Sequence, residues 1–275
     1  SHLQNVHLNN LQAGIHYKNK TIQIDTFFTE TQTVALTVKG NYSFSANSDL
    51  LVQADFSGME EFGHWLPVEN LQTSGRVEAR LWGNADSLNL KSQVMLNPPR
   101  FGEQSLNQLN LAATGRVTPG DTSLTARLSA FGLNSGNFTV DSLTARVDGN
   151  TDSLHLSANL FAGDLSTYLQ SGIVPGIKTK ITLNDWNINY QNQNWALQQP
   201  PAIIEIESGK YQITNFLMAS DDTDSPQFIM AKGNIDFAGE EDFLLETRRI
   251  DLGKLSEMFA LEKPVSGLFH FTLNL

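Results

Sequence analysis

The sequence predicts an all-β fold with a few short helices, built as a long antiparallel sheet that is apolar on one face. Three observations carry that expectation. Apolar and polar residues alternate through most of the 275 residues, and turn signals interrupt the runs every 8–15 residues. One strand–helix–strand design also recurs three times, at residues 49–81, 153–183 and 242–273.

The strands follow in order. TIQID and TVALTVKG open the chain, with Val34, Leu36 and Val38 on one face. RVEARL sets Val77, Ala79 and Leu81 against Arg76, Glu78 and Arg80. The run SLNLK adds Leu88 and Leu90, QLNLAA adds Leu109 and Leu111, and SLTARLSA adds Leu124, Ala126 and Leu128. SLTARV continues with Leu143, Ala145 and Val147, SLHLSANL with Leu154 and Leu156, and IKTKITLN with Ile181 and Leu183. A strand of period two presents one wet and one apolar face, the pattern of antiparallel sheets. Gly83-Asn84, Pro98-Pro99, Pro119-Gly120-Asp121, Asn134-Ser135-Gly136, Gly149-Asn150 and Ser208-Gly209 are short turn signals. They favour a meander, because parallel neighbours need long crossovers. About 17 strands, roughly six per module, are expected at such spacing. A shorter repeat pairs GNADSLNLKSQV at 83–94 with GNTDSLHLSANL at 149–160.

In each copy of the longer repeat a strand is followed by a glycine (Gly58, Gly163, Gly253), an amphipathic segment, a Pro–Gly stretch and another strand. The glycine opening that last strand recurs at Gly75, Gly176 and Gly267. These markers divide the chain into 1–57, 58–162, 163–252 and 253–275, as stretches of one continuous elongated sheet rather than separate domains. The amphipathic segments predict short helices, with Met59, Phe62 and Leu66 on the first, Leu165 and Leu169 on the second, and Leu255, Met258 and Phe259 on the third. Each helix is expected to lie as a lid on the apolar face. Alternation begins directly after Ser1-His2 and continues into Leu275, so the chain reads as a fragment of a longer protein, with any anchoring segment elsewhere.

Composition excludes several functions. The net charge of −11 repels phosphate backbones, so no nucleic acid partner is expected. The absence of cysteine removes disulfides and thiolate metal sites. No nucleophile elbow, phosphate loop or metal-protease motif occurs, and the six histidines are scattered without ligand spacing. Acidic clusters such as Asp221-Asp222 and Glu240-Glu241-Asp242 fall in turns and lack a calcium-loop pattern. The chain is therefore read as no enzyme, with no cofactor and no metal. Trp65, Trp82, Trp186 and Trp195 are read as core or groove-rim side chains. Mean hydropathy is −0.24, and no run approaches the ~18 apolar residues of a spanning helix.

The segments ENLQTSGRVEARLWGNADSLNLKSQV and IDLGKLSEMFALEKPVSGLFHFTLNL resemble the AsmA/TamB superfamily of bacterial envelope proteins. The first matches that family's glycine-ended alternating strands with an Asp-Ser-Leu turn, and the second its Pro-Val-x-Gly linker. The resemblance implies that the sheet curls into a U-shaped trough lined by its apolar face. It implies a periplasm-spanning, bridge-like lipid-transfer protein of a Gram-negative-type cell, anchored in the inner membrane. The implied partners are phospholipid or another acyl lipid, and an outer-membrane barrel of the TamA type. Membrane contact is expected through parts outside these residues.

Elementary energetics points the same way. An apolar sheet face must be covered, closed into a barrel, or filled with something apolar, and three short helices are too few to cover it. A 16-carbon acyl chain costs about 13 kcal/mol in water, at about 0.8 per CH2, which an apolar groove relieves all along its length. The residues expected to line that groove are Val34, Leu36, Val38, Val77, Leu81, Leu88, Leu90, Leu109, Leu111, Leu124, Leu128, Leu143, Val147, Leu154, Leu156, Ile181 and Leu183. The alternatives are a scaffold for outer-membrane protein assembly that offers its edge strands for β-augmentation, and a β-helix or sandwich serving as an adhesin or carbohydrate-active protein.

Overall fold

A computed structural model describes residues 8–43, 46–58, 71–84, 86–101, 104–136, 138–191, 193–222, 226–236, 239, 241–258, 261, 263 and 265–275. The fold is all-β and antiparallel, with 19 strands and one short helix among these residues. It divides into two compact units, Ser1–Gly136 and Asn137–Leu275. The division falls inside the 58–162 stretch delimited by the repeat.

Unit 1 is a meander of β1 (Asn10–Lys18), β2 (Thr21–Glu30), β3 (Val34–Ser43), β4 (Ser48–Phe56), β5 (Leu71–Asn84), β6 (Ser87–Phe101), β8 (Gln108–Thr118) and β9 (Asp121–Ser135). A two-residue strand, β7 (Gln104–Ser105), lies between β6 and β8, which pair directly. Connections are tight because the turn chemistry is local. Asn19 and Lys20 both take positive φ, 52° and 60°, so β1 and β2 close through a two-residue primed turn whose twist matches the strands. Asn84 Oδ1 accepts from the amides of Asp86 and Ser87, both at 3.0 Å, a side chain standing in for a backbone turn.

Unit 2 contains β10 (Phe138–Asn150), β11 (Leu154–Ala162), β12 (Leu165–Val174), β13 (Lys178–Tyr190), β14 (Gln193–Leu197), β15 (Ala202–Glu207), β16 (Lys210–Ser220), β17 (Phe228–Asp236), β18 (Asp242–Asp251), helix α1 (Leu252–Met258) and β19 (Leu268–Asn274). β14 and β15 lie end to end between β13 and β16, each pairing with both neighbours. The break falls at Pro200-Pro201, where two imide nitrogens have no proton to donate to a ladder. Asn150 Oδ1 accepts from Asp152 and Ser153 at 3.0 and 2.9 Å, so the short sequence repeat is one turn used in both units.

The lid expectations meet three outcomes. Leu255 does lie on a helix, α1, whose start is capped by Asp251 Oδ1 accepting from Gly253 and Lys254 at 2.9 and 3.2 Å. Leu165 and Leu169 do not: their segment is strand β12, entered through the Gly163-Asp164 turn. A separation of four is close to one helical turn and is also twice the strand period, so that pair alone fits either element. Tyr168, Ile173 and Val174 favour the strand. Leu255 and Met258, three apart, fit only the helix. Met59, Phe62, Leu66 and Phe259 lie outside the described residues.

Candidate functional site

The registers align the apolar positions of unit 1 into rows that cross eight strands. One row runs Leu11–Thr29–Leu36–Ala54–Val77–Val94–Leu111–Leu128 through direct cross-strand partners. The next two are Ala13–Phe27–Val38–Val52–Ala79–Ser92–Ala113–Ala126 and Ile15–Ile24–Gly40–Leu50–Leu81–Leu90–Gly115–Leu124. Cross-strand partners stand about 5 Å apart, so each row is a largely apolar strip, broken by Thr29 in the first and Ser92 in the second. It is an open one: Leu90, Leu111 and Leu124 are 43%, 38% and 41% exposed.

The opposite face of unit 1 is polar. Arg76 donates to Asp55 at 2.6 Å, Arg80 to both oxygens of Asp49 at 2.9 and 2.7 Å, and Gln53 to Glu78 at 3.1 Å. The hydrogen bond from Arg80 holds the Asp49 carboxyl below the ordinary carboxylate range. Trp82 sits on this wet face with the Arg80 guanidinium 5.6 Å from its ring centre, not in a core or at a groove rim. With Glu78, these charges prevent the two faces from exchanging by a one-residue register slip.

Unit 2 repeats the rows: Leu143–Leu160–Thr167–Ile188–Trp195, Val147–Leu156–Ser171–Leu183–Ala202, and Gly149–Leu154–Ile173–Ile181–Ile204–Ile213–Gly233–Phe243. Here part of the face is closed. Leu183, Leu197, Ala202 and Met218 form a buried cluster, with Leu169, Trp186, Trp195 and Phe216 packed against it. Beside it lies an apolar cavity of about 220 Å³ walled by Trp186, Ile188, Trp195, Phe216, Met218, Ile229 and Ile250, with Leu255 and Met258 of α1 on another side. Burial pushes the Tyr190 phenol on the wall above its ordinary value. On the polar face, ion pairs at 2.8 Å to Glu205 and Asp236 raise the ammonium groups of Lys178 and Lys210.

All seventeen residues expected to line a groove stand on the apolar face of their own unit, eleven in unit 1 and six in unit 2. Their surroundings differ. Leu183 is 8% exposed and belongs to a packed core, whereas Leu90, Leu111 and Leu124 face open space. Leu165 and Leu169 join the same face as strand residues, paired with Ala162 and Ala158.

Simple alternation misses Trp186, Phe216 and Ile250, for a specific reason. Each follows a β-bulge: Leu183 and Trp186 share a face although they stand an odd three positions apart, as do Ile213 and Phe216, and Thr247 and Ile250. The extra residue switches the parity of the strand. At two of the bulges a non-glycine residue takes positive φ, Asn215 at 58° and Arg249 at 56°. Without the bulges these three side chains would point to the wet face.

Among the described residues no helix is long and apolar enough to cross a membrane, and no three His, Asp or Glu residues gather in metal-binding geometry. The fold and its face thus define an all-β protein with a one-sided apolar sheet. Comparison of the chain with protein-family models, curated proteins and solved structures finds no match.

Proposed function

We propose that this chain is a segment of a lipid-carrying protein that holds phospholipid acyl chains against its apolar face while the headgroups stay in water. The observation that carries this reading is the set of predominantly apolar rows in unit 1, left open at Leu90, Leu111 and Leu124. A soluble protein rarely exposes such a strip unless the strip binds something. Apolar attraction is non-directional, so a row of Leu, Val and Ala lets a chain slide without a deep specific site. The resemblance to the AsmA/TamB superfamily supports a setting in the periplasm, with transfer between inner and outer membranes and a barrel partner of the TamA type.

The test is native mass spectrometry of the purified chain. Phospholipid should travel with the protein, and Leu111→Arg or Leu128→Arg should remove it while far-UV circular dichroism keeps its β signature. A lipid-free native chain, or arginine variants that keep their lipid, would overturn the reading.

A further inference from the structure

The cavity beside α1 carries a more specific inference, resting for the nature of its occupant on the lipid reading above. Its wall draws on β13, β14, β16, β17 and β18, five successive strands across the sheet. Four interstrand steps of about 4.8 Å put about 19 Å of sheet along this wall, measured across the strands. The first apolar row of unit 2 ends in this cavity, at Ile188 and Trp195, so a chain lying along that row runs into it. The volume of about 220 Å³ exceeds the ~150 Å³ of apolar cavities that stay dry and accept a six-carbon ring, and in proportion takes about nine carbons.

The polar groups at its edge are already engaged with one another. Lys254 Nζ donates to Gln193 Oε1 at 3.0 Å, Asp251 Oδ1 caps α1, and Gln227 Oε1 accepts from the Asp251 amide at 3.4 Å. The Tyr190 hydroxyl on the wall accepts from Gln191 Nε2 at 3.1 Å, and the rest of the lining is mostly indole, phenyl and alkyl. Three bulges in β13, β16 and β18 turn Trp186, Phe216 and Ile250 into this interior. The cover is tied down apart from its own packing. Ser256 Oγ donates to the Val265 carbonyl at 3.0 Å and accepts from the Val265 amide at 2.9 Å.

We propose that this cavity seats the terminal stretch of one acyl chain under α1, a fixed station on a face that elsewhere lets chains slide. Trp186 and Trp195 line it, so bromine on a bound chain should quench them. In the full chain carrying Trp65→Phe and Trp82→Phe, delipidated and titrated with mid-chain dibrominated stearate, quenching should saturate at one equivalent. Ordinary stearate should reverse it. Filling the cavity with Leu255→Phe, or from the opposite wall with Ile229→Phe, should weaken binding at least tenfold in whichever variant keeps the parent circular dichroism. Unsaturable quenching, or tenfold-filled variants that bind as the parent does, would overturn the station. Phospholipid retained in native spectra together with unquenched tryptophans would remove the station and leave the open face; loss of both signals would remove the lipid reading itself.

Discussion

The two units share rows, turns and polarity, yet bury their apolar faces to different degrees. Among the described residues, three of the twelve buried hydrophobic side chains (Phe56, Leu106, Ala130) fall in unit 1 and nine in unit 2. The difference does not arise from strand alternation, which is equally regular in SLTARLSA and SLTARV. Among the described residues, what accompanies the buried cluster of unit 2 is Trp186, Trp195 and Phe216 packed against it, with helix α1 beside the adjoining cavity. A single-layer sheet remains open by default, and closing it takes bulky side chains and a second layer. The comparison therefore separates a surface that can bind along its length from one that holds itself together.

The strongest way to break that comparison is by truncation. Met218, 3% exposed in the unit 2 cluster, should cost about 2–5 kcal/mol on replacement by alanine, whereas Leu111→Ala should cost about 1 kcal/mol or less because it is already wet. Urea denaturation followed by circular dichroism measures both, and equal losses would mean that unit 1 is covered after all. Next come the turn glycines. Gly83 and Gly149 take φ of 124° and 153°, and a Cβ on either would stand 2.0 Å from the carbonyl oxygen of Ser87 or Ser153. Gly83→Ala and Gly149→Ala should each destabilise by about 1–3 kcal/mol. Similar losses in the two units would show that the turns work independently of how the face is covered.

A smaller effect is expected at the cover. Ser256→Ala removes both bonds to Val265 and should cost about 1–2 kcal/mol, read as faster amide exchange confined to α1 with the rest of unit 2 protected as before. The smallest effect belongs to the wet face. Asp49 ionises below its unfolded value because Arg80 bonds to its charged form, so the pair stabilises above that unfolded value and fades as pH falls through the lowered one. Carboxyl NMR titration should show Arg80→Ala returning Asp49 to the ordinary range, with the melting temperature near neutral pH hardly moved because the pair is exposed.

How legible each feature was depends on its range along the chain. Outside β2, where a bulge puts Ile24 and Phe27 on one face, the rows of unit 1 were legible because face membership follows from parity, and the Asx turns because each closes within four residues. Leu165 and Leu169 misled because a spacing of four suits both periods. Trp186 reads from the sequence as a core or groove-rim side chain and packs against the buried cluster, but the bulges that bring it, Phe216 and Ile250 to the apolar face were out of reach because a bulge depends on which residue the neighbouring strand leaves unpaired.

By itself the sequence determined the all-β antiparallel class, the turns and the assignment of Leu, Val and Ile to one side, since period-two patterning and turn chemistry are local properties. Only the tertiary structure decided that the face is open at Leu90, Leu111 and Leu124 of unit 1 and closed in part of unit 2. Coverage depends on side chains distant in sequence, on bulges set by strand pairing, and on where a seven-residue helix comes to rest.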